Sequence, residues 1–226
     1  MYNKTAHKKS AHGITAKYKL AVVALLLTMT GLTTTQTQAG DNPWMQTENR
    51  TTQPVGHYDF CKLNKSECNQ TSRTQAPLKL TQASWNKIVQ VNRQVNQTVQ
   101  PRTDMEIWGK EEVWSYPVQS QDQLSGDCED YVLLKRRMLI NAGIPVNTLL
   151  ITVVRQENGE GHAVLAIRTD RGDFILDNLA DTVKAWNQTS YTYLKRQSAL
   201  HSGQWVDIRH DPEMLMSGIA TSALGK

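Results

Sequence analysis

No stretch of this 226-residue chain stays apolar long enough to cross a bilayer. The longest run, residues 20–32, covers about 13 residues, and a spanning helix needs roughly 20. An excess of charge is missing too, once the N-terminus is set aside. Lys4, Lys8, Lys9, Lys17 and Lys19 precede the apolar run without a single acid, and they are five of the 25 Lys and Arg. The 20 that remain face 21 Asp and Glu, so the rest of the chain is close to neutral. Such a chain lacks the basic footprint that nucleic-acid binding requires. The paired CxxC and HxxxH spacings of zinc sites are absent, as are internal repeats and low-complexity tracts. Cysteine is scarce and odd in number, at three.

What is present begins with a leader. A basic stretch, an apolar run and a small residue at Ala39 follow one another in the order of a secretory signal peptide, residues 1–39, with cleavage expected at Ala39–Gly40. A membrane anchor is the alternative, and the short run argues against it. About 187 residues then remain, enough for one domain with a sizeable core. Export implies an oxidising compartment. Cys61 and Cys68 lie close together in a polar stretch and form the natural pair, which leaves Cys128 as a free thiol.

Residues 40–79 show neither helical nor strand period and read as an extended arm stapled by that disulfide. Trp85, Ile88, Asn92, Val95 and Val99 then recur at spacings of three and four, which predicts a helix capped by Thr81 or Ser84 and ended by Pro101. A second helix is expected from Cys128 to Ala142, on the stripe Tyr131, Leu134, Met138 and Ala142, with Lys135, Arg136 and Arg137 as its solvated face. Gly143 and Pro145 stop it. Strand-like runs follow at 148–154, 162–168 and 174–179, with two more expected near 191–194 and 205–208. Helices before strands argue an α+β fold. The catalytic domain is expected over 80–210, with a loose tail at 211–226.

The chemistry gathers at Cys128. At the first turn of a helix, unsatisfied N–H groups and the dipole favour an anion, which activates a thiol. Asp127, Glu129 and Asp130 flank it. Three carboxylates beside a thiol raise its pKa unless a cation neutralises them; without a metal they still complement the helix dipole. His162 opens a strand and is the candidate base. The acid that would orient it is ambiguous. A hairpin centred on Arg171-Gly172 pairs Asp177 with Ala166 and Asp181 with His162. An earlier closure near Thr169-Asp170, or a bulge, is needed to bring Asp177 to His162.

At these residues the chain resembles the bacterial transglutaminase-like cysteine proteinases. The stretches that carry the likeness are GDCEDYVLLKRRMLINAGIP, LLITVVR, GEGHAVLAIRTDRGDFILDN, YTYLKRQS and HYDFCKLNKSEC, together with the helix after Leu80. The resemblance implies a papain-like, transglutaminase-like core with the cysteine helix packed on an antiparallel sheet. It also implies a catalytic triad of Cys128, His162 and Asp177. The best-studied branch of the family resembles a calcium-dependent periplasmic protease that clips surface adhesins and is restrained by a membrane receptor. Its calcium-binding acids match Asp127, Glu129 and Asp130.

Three functions compete on the sequence. The first is an exported peptidase acting on a periplasmic or cell-surface protein, with helix N–H groups, and an upstream side chain such as Trp114, binding the oxyanion. The second is a transglutaminase or amidase with the same triad, in which an amine resolves the thioester. The third is a non-catalytic periplasmic binding module.

Overall fold

The computed structural model describes residues 42–120 and 122–209. The expected signal peptide and the tail at 211–226 lie outside them. Along the chain run β1 (Thr47–Thr51), α1 (Val55–Leu63), α2 (Lys65–Cys68), α3 (Gln82–Thr98) and β2 (Val99–Pro101). Then come α4 (Asp104–Trp108), β3 (Val118–Ser120), β4 (Gln123–Gly126) and α5 (Cys128–Asn141). The strands β5 (Leu149–Arg155), β6 (Gly161–Thr169), β7 (Gly172–Leu176), β8 (Lys184–Ala185), β9 (Thr192–Ser198) and β10 (His201–Ile208) complete the order. The fold is α+β.

The main antiparallel sheet has the strand order β1-β10-β9-β5-β6-β7-β8, and β2, β4 and β3 make a small second one. The central strands LLITVVR and HAVLAIR are apolar at almost every position because both faces of the sheet are covered. Ala163, Leu165 and Ile167 of β6 join the larger core beneath α3 and α5. Val164 and Ala166 alternate to the other face, against Met45, Trp186 and Tyr193. Each fully buried apolar side chain of this kind contributes about 1.5–3 kcal/mol.

Helix α3 follows the predicted stripe, and Thr81 and Ser84 share the capping role in a reciprocal box. It ends at Thr98, where β2 takes over as an extended strand running to Pro101. Residues 40–79 depart from the expected arm. They supply β1, which pairs with β10 at the sheet edge, and two short helices joined by the Cys61–Cys68 disulfide. Helix α1 carries its buried face on His57 and Phe60, too few apolar positions for a stripe to show in sequence. The stretch 103–123, irregular in sequence, contains α4, β3 and the first residue of β4. No helix among the described residues is long and apolar enough to cross a membrane.

The expected solvated face of α5 is also corrected. Lys135 and Arg136 are buried, and only Arg137 reaches solvent. A single stripe assumes one covered face. Here the helix lies between β6 on one side and α3 and the N-terminal segment on the others. Arg136 is satisfied within that layer: it donates to the Leu149 carbonyl and Gln70 Oε1 (both 3.2 Å) and pairs with Glu67.

Candidate active site

Cys128 is the first residue of α5 and is half-buried. Asp127 stands at the N-cap position but makes no capping bond, so the simple dipole role foreseen for it is not what its side chain does. It turns toward Glu129 and Asp104 instead. The Cys128 thiol donates to Glu129 Oε2 (3.0 Å), and the Ala163 N–H of β6 reaches the sulfur. Burial first, and the Glu129 carboxylate second, push the thiol well above its ordinary pKa.

His162 is the second residue of β6 and is buried. Its Nε2 lies 2.9 Å from Asp177 Oδ1, just past the end of β7. The hairpin register explains the meeting. β6 and β7 pair Ala166 with Ile175 and Thr169 with Gly172, so the turn is Asp170-Arg171, one residue earlier than the register centred on Arg171-Gly172. Asp177 then falls beside Val164, two positions from His162 on the same face, within diagonal side-chain reach. Gly172 makes this closure possible. Its φ is +127°, and a Cβ there would lie 2.7 Å from the Pro43 carbonyl oxygen. Thr169 Oγ1 locks the turn by donating to the Gly172 carbonyl and accepting from the Arg171 N–H.

Asp181, the other candidate acid, is not at the imidazole. It is exposed and accepts from Asn96 Nδ2 (3.0 Å). Asp177 is gripped more fully. It also accepts from the Leu179 N–H (3.0 Å) and from the Tyr191 hydroxyl (2.5 Å). Burial pushes the Asp177 carboxyl up, and the bonds from His162, Tyr191 and Leu179 more than offset it, leaving it below its ordinary value. Because the carboxylate accepts at Nε2, the Nε2 atom carries the ring proton and Nδ1 is the nitrogen able to take another. No hydrogen bond joins Cys128 to His162 among the described residues; the thiol is turned to Glu129. The two meet through the main chain, where Ala163 follows His162 and touches the sulfur.

The acids form a second feature. One oxygen from each of Asp104, Asp127 and Glu129 lies within 4.8 Å of the other two. Asp130 stands to one side, accepting from the Ser115 N–H (2.9 Å) and hydroxyl (3.3 Å). Asp104 Oδ1, Asp127 Oδ1 and Asp130 Oδ2 are buried without a hydrogen-bond partner. Burial, and then the neighbouring carboxylates, raise Asp127 to about 8. Asp130 is also raised to about 8, by burial opposed by the Ser115 N–H. Orphaned, mutually repelling carboxylate oxygens at this spacing fit a hard cation with oxygen ligands, such as calcium.

Asp104 and Tyr191 were not anticipated from the sequence. Asp104 lies 23 residues before Asp127 in a stretch with no visible period, and a capping box at Thr103 with Glu106 was the one local signal of its helix. Tyr191 opens the stretch YTYLKRQS that carries the family likeness, but nothing in that stretch ties its hydroxyl to the Asp177 carboxylate. Trp114, considered for the oxyanion, is a core residue. It is buried with its ring 5.3 Å from His57 and 6.4 Å from Trp205, while the adjacent Val113 and Ser115 amides hold Asp104 and Asp130.

Residues 47–213 match the family model of the bacterial transglutaminase-like cysteine proteinases. The chain belongs to that family. It is therefore a cysteine peptidase by descent. Among solved structures it is similar to Legionella pneumophila LapG, at 26% identity over 61% of this chain and 76% of that one, with a TM-score of 0.46. The calcium-bound form of the same protein matches at 23% identity over 74% of this chain and 93% of that one, with a TM-score of 0.47. An EGTA-treated form matches as well. Among curated proteins no match is found.

Proposed function

We propose that this chain is an exported cysteine peptidase that hydrolyses a peptide bond in a periplasmic or cell-surface protein, with Cys128 as nucleophile, His162 as base and Asp177 as the residue that orients it. The observation that carries the reading is the 2.9 Å bond from His162 Nε2 to Asp177, on the strand whose next residue touches the Cys128 sulfur. Calcium is the proposed cofactor, held by Asp104, Asp127 and Glu129 with Asp130 alongside. Family membership and the calcium-bound relative support it. The leader at residues 1–39 supports export, and a membrane regulatory partner remains an expectation of the family resemblance.

The chemistry starts with the thiol leaving Glu129 and turning to His162. Nδ1 takes the proton, and the thiolate attacks the scissile carbonyl carbon. The Cys128 N–H, at the start of α5 where helix amides lack intrahelical acceptors, is the donor we assign to the oxyanion that forms. His162 returns the proton to the leaving amine, and the acyl-enzyme remains. A water then attacks, its proton taken by His162, and Cys128 leaves as the carboxylate product forms. Asp177, held by Tyr191 and Leu179, keeps the ring in one tautomer and orientation throughout. Bound calcium would neutralise the carboxylates whose charge opposes the thiolate.

The test uses a fluorescent iodoacetamide probe and a peptide library. Purified protein with millimolar calcium is expected to be labelled at Cys128 and to release peptides with free carboxyl ends. The Cys128→Ala variant should do neither. Cleavage surviving in Cys128→Ala would overturn the reading. Products that incorporate added methylamine in preference to water would make the enzyme a transferase.

A further inference from the structure

Asn92 lies on the apolar stripe of α3 and is completely buried, one helical turn before Asn96 on the same face. An amide in that position costs stability unless its polar atoms are paired. Both side chains direct their N–H groups at one short segment, residues 177–181, which follows β7. Asn92 Nδ2 donates to the carbonyls of Ala180 (3.0 Å) and Asp181 (3.1 Å). Asn96 Nδ2 donates to the carbonyl of Asp177 (2.9 Å) and to Asp181 Oδ1 (3.0 Å), with the Ala180 carbonyl at 3.3 Å. These acceptors fix which way each amide points, because a flipped amide would set its oxygen against carbonyl oxygens. Asn92 Oδ1 and Asn96 Oδ1 stay buried without a hydrogen-bond partner. The fold thus leaves two acceptors unpaired while keeping the donors on this loop.

The start of the loop needs such a hold. The β6–β7 ladder ends at the pair Leu165–Leu176, one residue short of Asp177. Past that pair no strand partner fixes the main chain, and an exposed Leu179 follows. The bond from the Leu179 N–H to Asp177 Oδ1 shapes the loop from within but ties it to no other element. His162 and Tyr191 hold the carboxylate of Asp177; Asn96 holds its main chain.

We propose that Asn96, with Asn92 behind it, is a positioning residue for the peptidase reaction: from α3 the two amides hold the loop 177–181 by its carbonyls, so that the Asp177 carboxylate stays seated on His162. The inference rests on the reading of Asp177 as the residue that orients His162. It accounts for a buried asparagine in an apolar stripe and for a triad acid placed beyond the end of its strand. Asp181→Asn keeps an oxygen for Asn96 and leaves the hold intact.

Asn96→Ala should lower kcat on the best peptide of the library by about tenfold, with KM changed by less than about threefold. Asn96→Asp keeps the shape, loses the donors and should do the same; it serves if the alanine variant folds incompletely. The deciding measurement is a double-mutant cycle. In an Asp177→Asn background, Asn96→Ala should cost less than about a further twofold, because its effect passes through the carboxylate already removed. A second readout needs no turnover. In a Cys128→Ala background, the Nε2 proton of His162, held on a carboxylate, should give a downfield NMR resonance protected from exchange. Asn96→Ala and Asn96→Asp should lose that protection while the chain remains folded by circular dichroism. A full tenfold cost that persists in Asp177→Asn would make Asn96 a packing residue and overturn the proposal, as would an unchanged resonance in a folded Asn96 variant. A damaging Asp177→Asn beside a harmless Asn96→Ala overturns this proposal alone. A fully active Asp177→Asn overturns the reading of Asp177 and the proposal with it.

Discussion

Asp177 accepts from His162, Tyr191 and the Leu179 amide, and that number of bonds separates it from Asp181. Asp177→Asn should lower kcat by about 10²–10⁴-fold, as loss of an orienting carboxylate does in hydrolytic triads. Asp181→Asn should stay within about twofold, since its partner is Asn96 rather than the imidazole. Steady-state rates of the two variants, with folding checked by melting, test the assignment; the reverse order would refute it. Tyr191→Phe removes one donor to the carboxylate and should cost about tenfold in kcat/KM. Gly126 gives a steric prediction at the same scale. A Cβ there would lie 2.6 Å from Asp130 Cβ and Oδ2. Gly126→Ala should therefore displace Asp130, destabilise the fold by about 1–3 kcal/mol and blunt its response to calcium.

Among the elements, α5 was legible where its environment is simple and misread where it is not. The cysteine at its start and Gly143 with φ +86° past its end follow from spacing and cap chemistry, whereas of the expected stripe Tyr131 is buried, Leu134 and Met138 are half-buried and Ala142 is exposed. The burial of Lys135 and Arg136 does not, because it depends on which elements lie on the far side of the helix. The N-terminal segment hides its helices for a related reason. The pair α1 and α2 is short, is held by Cys61 and Cys68 with Cα atoms 5.6 Å apart, and packs through His57, which burial pushes down to about 3 and so keeps neutral. Trp205 Nε1 donates to that imidazole, a buried contact with β10 that no local pattern announces. Replacing both cysteines by serine should cost about 2–3 kcal/mol, given the short loop that the bridge closes. Denaturant unfolding measures this. The proposed active site lies on α5 and β6, so peptidase activity at low temperature should survive; its complete loss in a folded variant would contradict that placement.

Across the whole molecule the acid cluster, as the proposed calcium site, is expected to link stability to pH and calcium. Asp127 and Asp130 titrate near 8 in the folded, metal-free state, against about 3.9 in an unfolded chain. The folded state therefore binds more protons between about pH 4 and 8, and by linkage this cluster makes stability fall as pH rises through that window. A cation that pairs with the carboxylates removes the penalty. The melting temperature with millimolar calcium, minus that in chelator, should be small near pH 5 and grow towards pH 8. A difference that shrinks as pH rises would exclude the cluster as the calcium site. In Asp104→Asn the difference should be reduced at every pH.

The sequence by itself determined the residue types and their local settings: a thiol at a helix start, an imidazole at a strand start, acids around both, and a basic then apolar N-terminus ahead of a nearly neutral remainder. Those features are written in spacing, caps and charge, which are local. Only the tertiary structure decided which groups meet. A hairpin closing at Asp170-Arg171 instead of one residue later sets Asp177, rather than Asp181, against His162, because a shift in register moves every cross-strand partner together. Asp104 reaches Asp127 and Glu129 through the packing of separate elements. No periodicity along the chain encodes contacts of that kind.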